Sequence, residues 1–299
     1  MKILVSGLVN LETNVPVNTF PIAYDPIHYQ FGLQHTVVSG VGFNVAKALY
    51  TLGAKVVLTS IIGEDRIGKM IADVIRDLNM STEYLYPMMS HTAQSTVLYQ
   101  VDGKRMIYCD LKNLQQLRIP VNQALLNALL DSDLIVATNI QFSKEILKKA
   151  KQLHKRIACD VHLLSHLEDP YNQEFMELAD ILFYSAEGQN HPLLFLKNMS
   201  ERYQAEIIVA TQGKDGLLCY ERHTKKIHRI NALFNPAVVN TVGAGDALFS
   251  AFCYFYLHEN NVQIALKKAT FFASYKVGFS GGSEGFLTQT QLEQMMKDF

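Results

Sequence analysis

The chain has 299 residues, of which 48% are hydrophobic and 18% are charged, a composition typical of a globular protein with a large buried core. The 27 basic and 28 acidic residues leave a formal net charge of −1, which gives no reason to expect a nucleic acid or an anionic membrane as partner. The four cysteines are widely separated, without the spacing of a zinc site or disulfide framework, so we expect reduced thiols in the core.

The first ten residues predict a buried β-strand. Their apolar run is too short for a signal peptide and is soon followed by Glu12. No later segment has the length and hydrophobicity that predict a membrane span. We therefore expect a cytoplasmic protein without a membrane partner.

Apolar, strand-like runs alternate with helical patterns along most of the chain. Segments whose apolar residues have helical spacing, such as residues 143–154, separate the strand-like runs. This order predicts βαβ units, and so an α/β fold in which helices cover a mainly parallel sheet. The clearest predicted strands are residues 55–62, 133–140, 156–161, 180–184 and 206–211.

Two segments interrupt the alternation: residues 11–36, rich in Asn, Pro and Tyr, and residues 92–111, which alternate as a strand does. Asp102-Gly103, between two strand-like arms, is a strong hairpin signal. We expect both segments to form a small β-lid on one domain spanning residues 1–299, because no repeat or linker divides the chain. Exposed edges of a lid can pair with a second copy, which leaves a homodimer open.

Residues 63–70 match most of a P-loop between a predicted strand and helix. However, Met70 stands where a P-loop has a Ser or Thr hydroxyl for Mg²⁺, and Glu64 and Asp65 would repel phosphate. We therefore interpret this segment as an ordinary strand-to-helix turn.

Residues 39–46 precede a predicted helix that ends near Leu52, before Gly53. Gly40 and Gly42 allow close approach of a ligand, and the amide of Asn44 both donates and accepts hydrogen bonds, which suits a sugar hydroxyl. A turn capped by an asparagine explains the same pattern. Residues 211–216 likewise fit either a hairpin turn or a nucleotide contact.

The most informative stretch is residues 240–249, which place Gly243, Ala244, Gly245 and Asp246 at the start of an apolar helix. The small residues leave backbone N–H groups open to an anion, and the helix dipole adds positive potential there. Asp246 is then placed to accept a proton. A tight turn with a capping aspartate is the alternative.

In this order, residues 39–44, 211–216 and 240–246 resemble the ribokinase-like, or PfkB, carbohydrate kinase family. Residues 241–246 match the family signature Asp-Thr-x-Gly-Ala-Gly-Asp wherever it specifies a residue, and the similarity covers nearly the whole chain. The resemblance implies a three-layer α/β/α sandwich with a β-lid. It also implies transfer of the γ-phosphoryl group of ATP, with Mg²⁺, to a hydroxymethyl group of a small-molecule sugar or nucleoside.

The resemblance also implies roles for individual residues. Asp246 falls on the catalytic base, and the backbone of Gly243, Ala244, Gly245 and Asp246 falls on the anion hole. The residues that fall on the substrate side are Asn10, Glu12, Gly40, Gly42, Asn44 and Asn139. Those that fall on the nucleotide side are Thr211, Gly213, Gly216 and Ser274.

Three positions depart from the family pattern. The Asn-x-x-Glu motif that organises Mg²⁺ is poorly matched at residues 185–188, where Glu187 substitutes for its acid by a one-residue shift. Asn240 replaces the Asp that often serves a monovalent cation, so activation by K⁺ does not follow from the resemblance. Ser39 replaces the first glycine of the substrate-side motif, a change that should leave the fold intact.

Val41 stands where phosphosugar kinases of the family often have a lysine, which favours an unphosphorylated acceptor. A phosphosugar kinase, a catalytically weak sugar- or nucleotide-sensing protein, and a relative acting on vitamin precursors or hydrated nicotinamide nucleotides are the alternatives. Lid aromatics can stack on a nucleoside base or simply pack the lid, so sugar and nucleoside both stay open; these are Tyr24, Tyr29, Phe31, Phe43, Tyr99 and Tyr108.

Overall fold

A nine-stranded sheet is the central layer of the structure, a computed structural model that describes residues 1–100, 103–233 and 238–297. The strands are β1 Lys2–Ser6, β2 Asn10–Pro16, β3 His35–Ser39, β4 Lys55–Gly63, β5 Leu85–Met89, β6 Gln94–Tyr99, β7 Arg105–Asp110, β8 Leu134–Thr138, β9 Ile157–Leu163, β10 Ile181–Ser185, β11 Ile207–Thr211, β12 Leu217–Glu221 and β13 Lys226–Ile230. The α-helices are α1 Val41–Leu52, α2 Arg66–Asp77, α3 Gln123–Leu130, α4 Ser143–Gln152, α5 Gln173–Leu178, α6 Pro192–Arg202, α7 Ala244–Glu259, α8 Val262–Lys276 and α9 Gln289–Lys297.

The strand order of the large sheet is β13-β12-β11-β10-β9-β8-β1-β4-β5. The strands from β11 to β5 in this order pair in parallel, and β12 and β13 add antiparallel partners at one edge. All five predicted strands are confirmed as β4, β8, β9, β10 and β11, with ends that differ by at most two residues. Strands covered on both faces have apolar residues on both faces, which is why these apolar runs predict the strands correctly.

Helices cover both faces of this sheet. Alternate side chains of β1 point to opposite faces, so Ile3 and Val5 pack in the core with α1, α7 and α8, whereas Leu4 packs in the core with α3, α4 and α6. The expected three-layer α/β/α fold is therefore confirmed. No helix in the described ranges has the length and apolarity needed to cross a lipid bilayer.

A second sheet, here called the lid sheet, has the strand order β3-β2-β6-β7. β2, β6 and β7 come from the two segments that the sequence predicted for the lid, whereas β3 extends three residues beyond the predicted boundary at residue 36. β6 and β7 form an antiparallel pair, with Gln94 opposite Asp110; Gly103 of the predicted turn has a φ of +87°, and Asp102 lies outside the described residues. Every residue of the edge strand β7 is exposed.

The cysteine expectation is correct for three of the four residues. Cys159, Cys219 and Cys253 are buried, but Cys109 is exposed. The prediction that all four lie in the core is wrong for Cys109, because β7 is an edge strand that the helices do not cover.

The P-loop-like segment is a strand-to-helix turn. Asp65 caps α2, and its carboxylate accepts hydrogen bonds from the N–H of Gly68 at 2.9 Å and from the hydroxyl of Thr92 at 2.6 Å. The side chain of the chain's own aspartate thus occupies the helix N-terminus, where a P-loop would hold phosphate.

The start of α1 crosses the end of β1 at backbone contact. A Cβ atom on Gly42 would lie 2.4 Å from the carbonyl carbon of Gly7, closer than any real contact. α1 ends at Gly53, which has the left-handed conformation expected of a helix-terminating glycine. The close crossing fixes where the N-terminus of α1 meets the sheet.

We predict that Gly42→Ala lowers the free energy of unfolding by about 1–3 kcal/mol, because the added methyl group must displace backbone. Urea denaturation would measure the change. Gly245→Ala is the matched control, since a Cβ there would meet no atom within 4 Å. Equal stability of the two variants would contradict the close crossing.

Candidate active site

The polar residues of the candidate site follow the carboxyl ends of the central parallel strands. Parallel strands end at one edge of a sheet, and ligands of open α/β sheets bind there. Several sequence-predicted residues lie at this edge: Asn10 after β1, Asn139 after β8, Glu187 after β10 and Thr211 at the end of β11.

The N-termini of α1 and α7 meet at this edge through two buried side chains. Asn44 donates a hydrogen bond from Nδ2 to Oδ2 of Asp246 at 2.7 Å, although the residues are 202 positions apart. Gly243 precedes α7 with a φ of +77°, and a Cβ there would lie 2.3 Å from the carbonyl oxygen of Gly282. The structure thus brings Asn44 and Asp246 of the predicted site together.

The first turn of α7 presents backbone donors. Ala244 N–H bonds to the carbonyl of Thr241 at 3.2 Å, whereas the N–H groups of Gly243, Gly245 and Asp246 have no acceptor in the described part of the chain. Space beside Gly245 is open to at least 4 Å from its Cβ position. Free donors, open space and the positive end of a helix dipole together suit an anion.

The carboxyl group of Asp246 has an altered acidity. Its pKa is raised to about 6, chiefly by burial; the charge of His162 and the hydrogen bond from Asn44 act to lower it, and the charges of Asp160 and Glu12 act to raise it. The carboxylate is therefore ionised at neutral pH but is a stronger base than an exposed aspartate. A pKa close to the working pH is what a general base needs.

The strand β2 places a row of polar side chains inward. Asn10, Glu12 and Asn14 are buried, whereas the residues between them are partly exposed. The Glu12 carboxylate accepts hydrogen bonds from Asn14 Nδ2 at 3.0 Å and from the N–H of Gly282 at 3.3 Å. Three alternate polar residues on a buried strand face are costly unless they bind something.

Ser39 connects Glu12 to the Asn44–Asp246 pair. Its hydroxyl lies 3.2 Å from Glu12 Oε2 and 3.1 Å from Asn44 Oδ1. A hydroxyl at Asn44 Oδ1 orients the amide so that its NH₂ group faces Asp246. The serine that departs from the family pattern is therefore part of the buried network.

Asn10 keeps one unused acceptor. Its Nδ2 donates to the hydroxyl of Ser95 at 3.0 Å, but the buried Oδ1 has no hydrogen-bond partner among the described residues. Such an atom is expected to accept a hydrogen bond from a ligand or water. This observation favours the substrate contact that the sequence predicted.

The glycines of the substrate-side motif serve the chain itself. A Cβ on Gly40 would lie 2.6 Å from the carbonyl oxygen of Leu8, and Gly42 contacts β1 as described above. The space beside both glycines is therefore filled by backbone, not open to a ligand. Asn139 also serves the fold, because its Nδ2 donates to the Val161 carbonyl and to Asn172 Oδ1.

Two of the four predicted nucleotide-side residues, Gly216 and Ser274, border one segment, residues 230–233. Gly216 contacts its backbone, since a Cβ there would lie 2.0 Å from the carbonyl oxygen of Ile230. Ser274 on α8 donates to the carbonyl of Leu233 at 3.3 Å. Thr211 and the exposed Gly213 lie on the β11–β12 connection, and the N–H of Ala186, beside Glu187, donates to the Thr211 carbonyl at 2.8 Å.

The lid aromatics divide into two groups. Phe43 and Tyr99 are buried in the core, because they lie on the inward faces of α1 and β6. Tyr24, Tyr29, Phe31 and Tyr108 are exposed, and the rings of Tyr29 and Phe31 stack on each other with centroids 6.4 Å apart.

Sequence reasoning missed four residues of the site: Asn14, Asp160, His162 and Lys276. One potential ligand atom from each of Asp160, His162 and Asp246 lies within 4.8 Å of the others, the sole such group of three in the described chain. Asp160 could have been found, since it ends a predicted strand at the carboxyl edge. Lys276 is one of three lysines in α8 and gave no signal, because helical spacing does not reveal which side chain turns inward.

The same group defines where a divalent metal fits best. The oxygens of Asp160 and Asp246 suit Mg²⁺, which prefers oxygen ligands, whereas the nitrogen of His162 does not. Glu187, the metal residue predicted from the sequence, is exposed on the loop after β10 and does not belong to this group.

Comparisons with known proteins identify the family. A model of the pfkB family carbohydrate kinase matches residues 2–289. The chain is 22% identical over 280 residues to an acarbose 7(IV)-phosphotransferase of Actinoplanes sp., covering 91% of each chain. It is 26% identical over 271 residues to a ribokinase of Bacillus subtilis, covering 87% of this chain and 88% of the relative.

Solved structures have the same fold. A microbiome-derived acarbose kinase superposes with a TM-score of 0.85 at 22% identity, over 99% of this chain and 98% of the other. A ribokinase of Arabidopsis thaliana complexed with ribose and ATP superposes with a TM-score of 0.80 at 18% identity, over 99% and 98%.

We predict that Asn44→Ala raises the pKa of Asp246 by about one unit above its value of about 6, because a hydrogen bond to the ionised form is lost. Carbon-detected NMR titration of the Asp246 carboxyl group would measure this. Asn127→Ala, at an exposed asparagine of α3, is the control. An unchanged pKa in Asn44→Ala would refute the proposed coupling.

Proposed function

The chain belongs to the pfkB family of carbohydrate kinases, and we propose that it transfers the γ-phosphoryl group of ATP to a hydroxymethyl group of an unphosphorylated sugar or nucleoside. The observation that carries the proposal is the buried Asp246 carboxylate beside the free N–H groups at the start of α7. A proton acceptor and an anion hole at one place are the two elements that this reaction needs.

In the proposed reaction, Asp246 accepts the proton of the acceptor hydroxyl as its oxygen attacks the γ-phosphorus. The bond from that phosphorus to the β–γ bridging oxygen breaks, and ADP leaves with the electron pair. The N–H groups of Gly243, Gly245 and Asp246 stabilise negative charge on the transferring phosphoryl group. Ala244 contributes by its small side chain, since its own N–H is bonded to Thr241.

The substrate side is matched to a polyol. Glu12 and Asn10 present buried acceptors at the end of β2 nearest to Asp246, and hydroxyl groups are the donors that satisfy them. Val41 offers no charge for a phosphate on the substrate, which disfavours a phosphosugar. The exposed aromatics of residues 17–34 keep a nucleoside as well as a free sugar within the proposal.

On the nucleotide side, we propose that ATP lies across Thr211, Gly213 and Gly216, next to Ser274. Mg²⁺ would be held by ATP oxygens together with the Asp160 carboxylate, Glu187 on the loop after β10 would contribute through bound water, and when bound the ion would neutralise charge on the phosphates. Asn240 donates through Nδ2 to the carbonyl of Ser280 at 2.7 Å. An amide in this role supplies no negative charge, so we do not propose K⁺ as a cofactor.

The alternative of a catalytically weak sensing protein has one supporting observation, the isolation of Glu187 from the group formed by Asp160, His162 and Asp246. Against it stands the buried Asp246, whose raised pKa a sensor would not require. An ATP-consumption screen over free sugars, phosphosugars and nucleosides, with Mg²⁺ and with or without K⁺, distinguishes the two. No turnover of any acceptor would favour the sensor, and turnover of phosphosugars alone would favour a phosphosugar kinase.

ATP consumption and the three buried thiols favour the cytoplasm as the compartment in which the protein acts. We also propose a homodimer through the lid sheet. β7 is its edge strand, exposed throughout, with Met106, Ile107 and Tyr108 as consecutive large side chains. Two such edges can pair about a two-fold axis.

We predict that Asp246→Asn lowers kcat by at least about 10²-fold and leaves ATP affinity nearly unchanged, because the base acts mainly in the transition state. In the unmodified protein, kcat/KM should rise as the pH increases through about 6, since only ionised Asp246 accepts a proton. Steady-state kinetics and ATP titration calorimetry would test both.

Asp65→Asn is the matched control for that experiment, because Asp65 is also an aspartate at a helix start but belongs to the P-loop-like turn. Its activity should stay near that of the unmodified protein. Normal turnover by Asp246→Asn would exclude the proposed base.

For the dimer, we predict that Ile107→Lys yields a monomer in light scattering coupled to size-exclusion chromatography, because like charges would face each other across the paired edges. Met70→Lys, at an exposed apolar residue of α2, should stay dimeric. An unmodified protein that elutes as a monomer at micromolar concentration would exclude this interface.

A further inference from the structure

Lys276, the last residue of α8, is the one buried lysine in the described structure. It is 0% exposed, and its Nζ has no hydrogen-bond partner among the described residues. Burying an ammonium group without a partner costs several kcal/mol. A native protein retains such a group only where something else offsets the cost.

Negative charges near Lys276 offset part of that cost. Within the described ranges, four charged side chains are buried: Glu12, Asp160, Asp246 and Lys276. Three are carboxylates of the candidate site, and Lys276 is the one cation. Asp246, Glu12 and the partly buried Glu284 attract its ammonium group, whereas Arg105 repels it.

The backbone holds Lys276 where the two loops of the site meet. The carbonyl of the next residue, Val277, accepts hydrogen bonds from the N–H groups of Val239 at 2.8 Å and Asn240 at 3.1 Å. The chain after α8 then returns through Gly282, whose N–H donates to Glu12. The end of α8 is thus bonded to both the loop that precedes α7 and the substrate-side carboxylate.

We propose that the ammonium group of Lys276 is a built-in cation of the active site, which balances the buried carboxylates Asp246 and Glu12 and so keeps the anion-binding loop, residues 240–246, able to receive phosphate. The inference rests on the proposed kinase function and deepens it. Lys276 acts as a positioning residue, because it works through the carboxylates and the loop and not by contact with the reacting atoms.

The charge balance explains why such a cation is needed. ATP brings several negative charges to a place that already holds three buried carboxylates. At close range in a low-dielectric site, like charges repel strongly. Burial lowers the pKa of Lys276 to about 8, while Asp246, Glu12 and Glu284 act to raise it and Arg105 to lower it; at neutral pH the group is still protonated.

Two variants test the proposal. One removes both the charge and most of the volume of the Lys276 side chain, and the other removes the charge alone. Lys276→Ala should lower kcat/KM by about 10²-fold, the effect expected when the groups of a site are displaced, and leave a cavity in the place of the ammonium group. Because NH₄⁺ and K⁺ have about the size of the missing ammonium group, either salt should restore activity at least tenfold relative to choline chloride of equal ionic strength. The unmodified protein should respond equally to all three salts.

Lys276→Met keeps most of the side-chain volume without the charge, so it should fold, stay inactive and resist rescue. Lys267→Ala, at an exposed lysine of the same helix, should behave like the unmodified protein. Near-normal activity of Lys276→Met, or failure of every cation to restore a folded Lys276→Ala, would overturn the proposal.

A readout without turnover separates this inference from the kinase function itself. Loss of the nearby positive charge should raise the pKa of Asp246 in Lys276→Met above about 6, measured by NMR titration in the absence of substrate. If no acceptor is phosphorylated by the unmodified protein, the kinase proposal fails; an unchanged Asp246 pKa in the variant refutes the role of Lys276.

Discussion

The hydrogen bond between Asn44 and Asp246 is the interaction on which the site depends. It joins the first turns of α1 and α7, which lie 202 residues apart in the chain. Each helix has its own constraint at that point: Gly42 against the backbone of β1, and Gly243 against the carbonyl of Gly282. With both helix starts fixed, the carboxylate and the free N–H groups of α7 are held in one geometry.

Packing behind the site supports this arrangement. Phe183 of β10 contacts Phe249 and Phe252 of α7, with ring centroids 5.0 Å and 5.3 Å apart. Such aromatic pairs stabilise by about 0.5–1.5 kcal/mol each beyond the area they bury. They attach α7 to the middle of the parallel sheet, and therefore place its N-terminus over the carboxyl ends of the central strands.

Burying the polar side chains of the site has an electrostatic cost, which hydrogen bonds from several segments offset. Glu12 is bonded to Asn14 and Gly282, Asp246 to Asn44, and Ser39 lies between the two groups. The unused capacity is small and specific: Asn10 Oδ1, the α7 donors and Lys276 Nζ. Under the proposed function, a polyol and a phosphate would satisfy Asn10 Oδ1 and the α7 donors, whereas Lys276 Nζ acts through the nearby carboxylates.

The sequence by itself determined the sheet and the start of α7, because both are local: apolar runs indicate burial on both faces of a strand, and three small residues before Asp246 indicate a helix start. Strand-like alternation also predicted the lid segment of residues 92–111, whereas composition set residues 11–36 apart. Only the tertiary structure decided which polar residues meet. Asp160, His162 and Lys276 enter the site because β9 and α8 end beside α7. The sequence singled out Gly40 and Gly42 as ligand contacts. It did not show that the backbone of Gly7 and Leu8, just after β1, fills the space beside them. Contacts between distant segments leave no periodic pattern in the sequence. Only the packing of the folded chain therefore shows which side chains face one another.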